Sequence, residues 1–204
     1  MTTARVRQTA ETRKSILRVT RDLYLAEGIA GITMRRVANA VGVAPAALYW
    51  HFPDKEELVA AIFIEGVTAF MRTLANARED TAAGRIGRTA EAFLRFGLDQ
   101  PREFEVFFLH RPPAEIGAAS WTRFEEARTA SFRTLLEDVR ASRRAGAADS
   151  YGAAMTLLST CLGLMTLRLG GQLPGPRSGF EALFRARVRF AMTAVGIEEE
   201  EERV

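Results

Sequence analysis

Between Gly42 and Leu58 the chain reads GVAPAALYWHFPDKEEL, an order of residues that restricts the fold more than any other stretch. Tyr49, Trp50, His51 and Phe52 follow a nearly featureless Ala44-Pro45-Ala46-Ala47 and run straight into Pro53, Asp54 and Lys55. An amphipathic helix has no use for that order, because its apolar positions recur every three or four residues. The flanking residues supply a frame. Thr33 caps a short helix to about Val41, Gly42 turns the chain, and Pro45, favoured at a first helical position, opens another short helix to about Trp50. Val37, Ala38, Val43 and Leu48 fall at inward-pointing spacings; Ala38 is small where two helices cross, and Gly42 suits the positive φ of a tight turn. This describes a helix-turn-helix, whose second helix would be presented to a DNA major groove with its N-terminal residues nearest the base edges.

Helical periodicity dominates the rest of the chain, with no convincing run of alternating apolar and polar residues, so the expected fold is all-α with about nine helices. A first helix from about Glu11 to Glu27 carries Ile16, Thr20, Leu23 and Tyr24 on one face and ends at Gly28. Asp54 caps a long fourth helix, with Glu57 three residues on completing a capping box. Further helices are expected at about 82–98, 101–109, 119–144, 149–169 and 179–195, separated by loops holding Pro112-Pro113, Gly146 and GGQLPGPRSG from Gly170 to Gly179, the last expected to be flexible. The run Glu198 to Glu202 reads as a frayed acidic tail. Residues 1–55 hold nine Lys/Arg against four Asp/Glu, whereas residues 56–204 hold nineteen against twenty-one. Such a basic segment on a near-neutral body is the electrostatic footprint of contact with a polyanion.

Other classes fit less well. Gly-x-Ser-x-Gly, His-Glu-x-x-His, Cys-x-x-Cys and phosphate-loop patterns are absent, so no enzyme is expected, and no metal site. His110 stands beside Arg111 with no partner motif. The basic N-terminus has no apolar signal core, and the apolar run Ala153 to Leu167 falls short of the ~18 residues of a membrane span, so the expected location is the cytoplasm. Cys161, the single cysteine, excludes an internal disulfide; a redox sensor built on it is one alternative reading, and a non-specific DNA-binding protein is another.

GITMRRVANAVGVAPAALYWHFPDKEELVAAI, with the helix before it, resembles the DNA-binding domain of TetR-family transcriptional regulators over roughly residues 11 to 64. The resemblance implies a DNA-binding domain over residues 1–55 and a ligand-binding and dimerisation domain over 56–204, linked by the long fourth helix. It implies a homodimer on a palindromic operator, most simply a repressor released by a small hydrophobic effector, with activation left open. Tyr49, His51 and Lys55 match phosphate-contacting positions, chemistry that suits a phenol, an imidazole and an ammonium at a helix N-terminus. Phe52 would anchor this corner to the first helix, and Trp50 would either flank the sugar-phosphate backbone or pack. Base reading would fall to Arg35, with Arg36 as a further candidate, and to Pro45, Ala46 and Ala47, whose alanines offer methyl contacts to thymine, with Ala44 on the same DNA-binding surface. Alternatively both arginines touch only phosphates. Thr33 belongs to the same surface. The basic arm Arg5, Arg7, Arg13 and Lys14 would enter the minor groove or remain disordered.

Towards the C-terminus, AEAFLRFGLDQPREFEVFF looks like a C-terminal domain type of the same regulators. Phe93, Phe96, Phe104, Phe107 and Phe108, with Trp121, Phe124 and Phe132 on the next helix, are expected either as core or as the lining of a pocket for a hydrophobic ligand. Arg128 falls on the Phe124–Phe132 stripe; buried, it would need an acidic partner or an anionic ligand group, and otherwise it snorkels to the surface. On helix 149–169, Tyr151, Met155, Leu158, Leu162 and Met165 form one stripe and Gly152, Thr156, Ser159 and Gly163 a small-residue strip. With Phe180, Phe184, Val188 and Val195 these would build a four-helix dimer interface or be buried within one subunit.

Overall fold

A computed structural model describes residues 3–75, 81–113, 117–142 and 149–197, the side chains of residues 3–6 and 75 excepted. Among these residues there are nine α-helices and no strand. The Gly146 turn and the acidic run from Glu198 lie outside them, as does the side chain of Arg5. Helix α1 (Thr3–Glu27) leads through a single 3-10 turn (Ile29–Gly31) to α2 (Met34–Val41) and α3 (Pro45–His51). Then follow α4 (Lys55–Ala75), α5 (Ala82–Asp99), the short α6 (Pro101–Phe104) with a π-helical turn at Glu105–Leu109, α7 (Ala118–Ser142), α8 (Ser150–Leu169) and α9 (Arg177–Ala194).

Helix ends sit where local chemistry sets them. Thr33 accepts the Arg36 N–H at 3.1 Å, Asp54 the Glu57 N–H at 2.8 Å and Asp149 the Gly152 N–H at 2.7 Å, each satisfying an otherwise orphaned donor. Gly42, at φ 79°, closes α2 in the left-handed region. The capping box at Asp54 is only half formed: the Glu57 carboxylate accepts instead from Ser120 Oγ at 3.2 Å. The start of α1 corrects the expectation of a loose basic arm, because the backbone is helical from Thr3 onward.

Two compact units emerge, each discontinuous in sequence: Met1–Thr68 with Arg102–Glu126, and Ala69–Pro101 with Ala127–Val204. This is a different division from a cut at residue 55. In the first unit Ile16, Val37, Ala38, Leu48, Leu58, Ile62 and Phe63 are at most barely accessible. Arg21, only 6% exposed, pairs with Glu65 at 2.6 Å and with Glu103, tying α1, α4 and α6 together. In the second unit Phe70 packs on Phe93 and Phe96, and Arg85 holds Asp138 at 2.7 Å. The Gly170–Gly179 segment is held in place, because Arg168 donates to the carbonyls of Leu173 and Gly175 and lies over the Phe180 ring.

Candidate nucleic-acid interface

Capping and burial together orient the reading helix. Ala44 stands at its N-cap with Pro45 first in the helix, and Leu48, fully buried, faces the unit's core. Turning Leu48 inward leaves Ala46, Ala47, Tyr49 and Trp50 outward, with Tyr49 52% and Trp50 74% exposed. A tryptophan that exposed leaves most of its apolar ring in water. His51 is half-buried, with its ring edge-to-face on Trp50 at 5.2 Å. Burial, and secondarily the charge of Arg13, holds its pKa below the ordinary imidazole value, so near pH 7 it is a neutral ring with one N–H to donate.

Phe52 is 3% exposed, and the Arg13 guanidinium sits 4.4 Å above its ring. Arg13 is therefore occupied against an aromatic face. Lys55 opens α4 as its first residue. On α2, Arg35 is exposed and shares a shallow concavity with Thr33, Arg36, Asn39 and Ala40. Asn39 was not singled out from the sequence; its place one helical turn after Arg35 was the available signal. Thr33, Arg35, Ala44, Pro45, Ala46, Ala47, Tyr49, Trp50, His51 and Lys55 all belong to the first unit and to the 23-residue stretch Thr33–Lys55. Arg36 does too, but its guanidinium donates to both oxygens of Glu27 at 2.6 Å.

The residues expected to line a ligand pocket are divided between the units. Phe104, Phe107, Phe108, Trp121 and Phe124 join an aromatic cluster of the first unit in which Phe107 and Phe108 centroids are 4.4 Å apart and Phe124 meets Phe63 at 5.7 Å. Phe93 and Phe96 belong to the core of the second unit, and Phe132 packs edge-to-face on Tyr151 at 5.6 Å. A groove of about 200 Å³ in the second unit runs between Gly87, Ala90 and Glu91 on one side and Phe184, Val188 and Met192 on the other, and none of those eight residues lines it. Arg128 is exposed, so the guanidinium reaches the surface and the buried-charge reading is not supported.

On α8 the small-residue strip turns largely outward, and the expected apolar stripe is split, with Tyr151 and Met155 exposed and Met165 buried. The buried line is Ala154, Leu157, Cys161 and Met165, while Tyr151, Met155, Thr156, Ser159 and Gly163 are exposed. Sequence could not select among these faces, because the helix is apolar nearly all round. Gly152 has a local reason to be small, since an added Cβ would stand 2.0 Å from the capping carboxylate of Asp149. Phe184 and Val188 are 1% and 5% exposed in the single subunit. The outward apolar residues of α9 are Leu183 and Phe190. Ser150–Leu169 is, by length and composition, long and apolar enough to cross a membrane, which the shorter run read from sequence did not indicate.

Cys161 is buried, and burial pushes its thiol up to about 12. A thiol so seldom ionised is a poor nucleophile and a poor redox sensor. Mild oxidant is expected to change DNA retention equally in the wild type and Cys161→Ser; protection confined to the variant in a retention assay would reinstate the sensor. Among the described residues no group of His, Cys, Asp or Glu is placed to hold a metal ion.

Residues 16–62 match the family model described as bacterial regulatory proteins, tetR family, and residues 86–191 match that described as tetracyclin repressor-like, C-terminal domain. Over 53 residues, 26% of this chain, the sequence is 40% identical to the HTH-type transcriptional regulator AcrR of Shigella flexneri, of whose length the match spans 25%. A crystal structure of a bacterial regulatory protein in the tetR family from Rhodococcus RHA1 superposes with a TM-score of 0.76 at 20% identity, covering 92% of this chain and 98% of that one. Another similar structure is that of AibR in complex with isovaleryl coenzyme A and operator DNA, with a TM-score of 0.68, 17% identity and coverage of 85% and 96%. An exposed reading helix on a buried leucine, in a chain matched by family models at both ends, has one consistent assignment: the protein belongs to the TetR family of helix-turn-helix, DNA-binding transcriptional regulators.

Proposed function

We propose that this regulator is a cytoplasmic homodimeric repressor that leaves a palindromic operator when a small hydrophobic effector binds. The observation that carries the DNA side is the outward row Ala46, Ala47, Tyr49 and Trp50 on a helix anchored by Leu48. In this reading Tyr49, His51, Trp50, Lys55 and Thr33 fix the register on phosphates and sugars, and Arg35 with Ala44, Pro45, Ala46 and Ala47 meets base edges. With only Pro45 and alanine methyls at the N-terminal end of the reading helix, thymine contacts and DNA shape carry much of the specificity. The test is selection from a random duplex library at fixed, near-physiological salt. A palindrome with half-sites about 34–36 Å apart supports the proposal, and retention without enrichment refutes specific reading.

The dimer is proposed from the outward apolar residues of α8 and α9: Met155 at 38%, Leu167 at 43%, Leu183 at 37% and Phe190 at 68% exposed. A lone subunit would leave them in water, whereas a second copy would cover them, with Thr156, Ser159 and Gly163 permitting close helix approach. Phe190→Asp is expected to weaken the dimer at least ~100-fold, about 2.7 kcal/mol, and to give monomers in sedimentation at micromolar concentration. Wild-type monomers under those conditions would end the proposal. Response to an effector is supported by the likeness to AibR, crystallised with both isovaleryl coenzyme A and operator DNA. Helix α4 carries Lys55 in its first turn and contributes to both units, so an effector favouring one tilt of it would move paired reading helices off one-turn spacing.

A further inference from the structure

Arg36 stands on the DNA-facing end of α2 beside Arg35, yet its guanidinium is occupied. Nη1 and Nη2 each reach one Glu27 oxygen at 2.6 Å, and Nη1 also donates to the Gly31 carbonyl at 3.0 Å. This is a forked, two-bond pair with a third bond to the backbone, the geometry in which a surface ion pair acquires orientational value. Two further observations show that the surroundings are shaped for it. Glu27 is the last residue of α1, with no basic residue in that turn, where a carboxylate faces the negative end of the helix dipole. Gly31 lies under the Glu27 side chain, where an added Cβ would fall 2.5 Å from Glu27 Cβ. Both groups respond in their ionisation: Arg36 lowers the Glu27 pKa, and Glu27 raises that of Arg36.

We infer that Arg36 is a positioning residue, which clamps the start of α2 to the end of α1 through Glu27 and so aims Arg35, and that it neutralises no operator phosphate. The inference rests on the DNA-binding reading. Its consequence is that charge at position 36 is insufficient and the planar fork is required, since lysine supplies a point charge on one nitrogen and cannot set two parallel N–H groups against the two carboxylate oxygens.

The full-length wild type, Arg36→Ala, Arg36→Lys and Glu27→Gln would be compared on the duplex enriched from the random library and on an unrelated duplex, across a salt series, after thermal melts confirm that each variant folds. Each variant is expected to bind the enriched duplex roughly 5- to 20-fold more weakly, lysine giving no rescue, with the ratio of specific to non-specific affinity reduced and the salt slope unchanged. A phosphate contact predicts the opposite pattern. Arg36→Ala would then lower the salt slope by about 0.9 and weaken both duplexes alike, Arg36→Lys would bind as the wild type does, and Glu27→Gln would bind more tightly by freeing the arginine. That pattern overturns the inference alone. Wild-type protein that retains no duplex overturns the DNA-binding reading, and the inference falls with it.

Discussion

Arg21→Met is expected to lower the melting temperature by about 6–12 °C in calorimetry, the largest effect foreseen for any single substitution outside the apolar core. Arg21 is 6% exposed and is held between Glu65 and Glu103, whose side chains are 27% and 22% exposed. Methionine fills much the same space but leaves two carboxylates facing each other without a cation. Removing one partner from a buried ionic group costs about 3–5 kcal/mol, and the partial exposure of both glutamates puts this case near the lower end. Each kcal/mol is worth about 2–4 °C in a chain of this size. The combined Arg21→Met, Glu65→Gln, Glu103→Gln variant should recover most of the loss, because no unpaired charge remains. A melting point for Arg21→Met within about 2 °C of the wild type would show that the group is solvated enough to dispense with its cation.

Phe52 and Trp50, two residues apart, should give opposite phenotypes. Phe52→Ala removes a ring that is 3% exposed and capped by Arg13, which costs about 3–5 kcal/mol and loosens the α3–α4 corner against α1. Stability and DNA binding should fall together. Trp50→Ala removes a ring that is 74% exposed, so stability should change by no more than about 0.5 kcal/mol while affinity for the selected duplex drops. Chemical denaturation alongside a DNA titration separates the two. Equal destabilisation by both substitutions would mean that Trp50 is a packing residue and the outward aromatic surface is not the contact.

Much of this molecule was legible from spacing alone, wherever the determinant lies within three or four residues of its effect. Thr33, Asp54 and Asp149 satisfy N–H groups three residues on, Gly42 turns positive in φ, and Leu48 is buried between exposed Ala47 and Tyr49. Helix ends and the helix-turn-helix therefore follow from local rules. Pairings between separate helices were not legible. Arg21 meets Glu65 and Glu103 from 44 and 82 residues away, and Arg36 meets Glu27 across a turn. No periodicity encodes which charge faces which. The helices apolar on more than one side mark the same boundary: sequence left Phe184 and Val188 either at a dimer interface or inside one subunit, and in the tertiary structure they turn inward while Phe190 stays outside. A helix with several apolar faces offers several ways to be buried at similar local cost, so its orientation is decided by the neighbours available to cover each face.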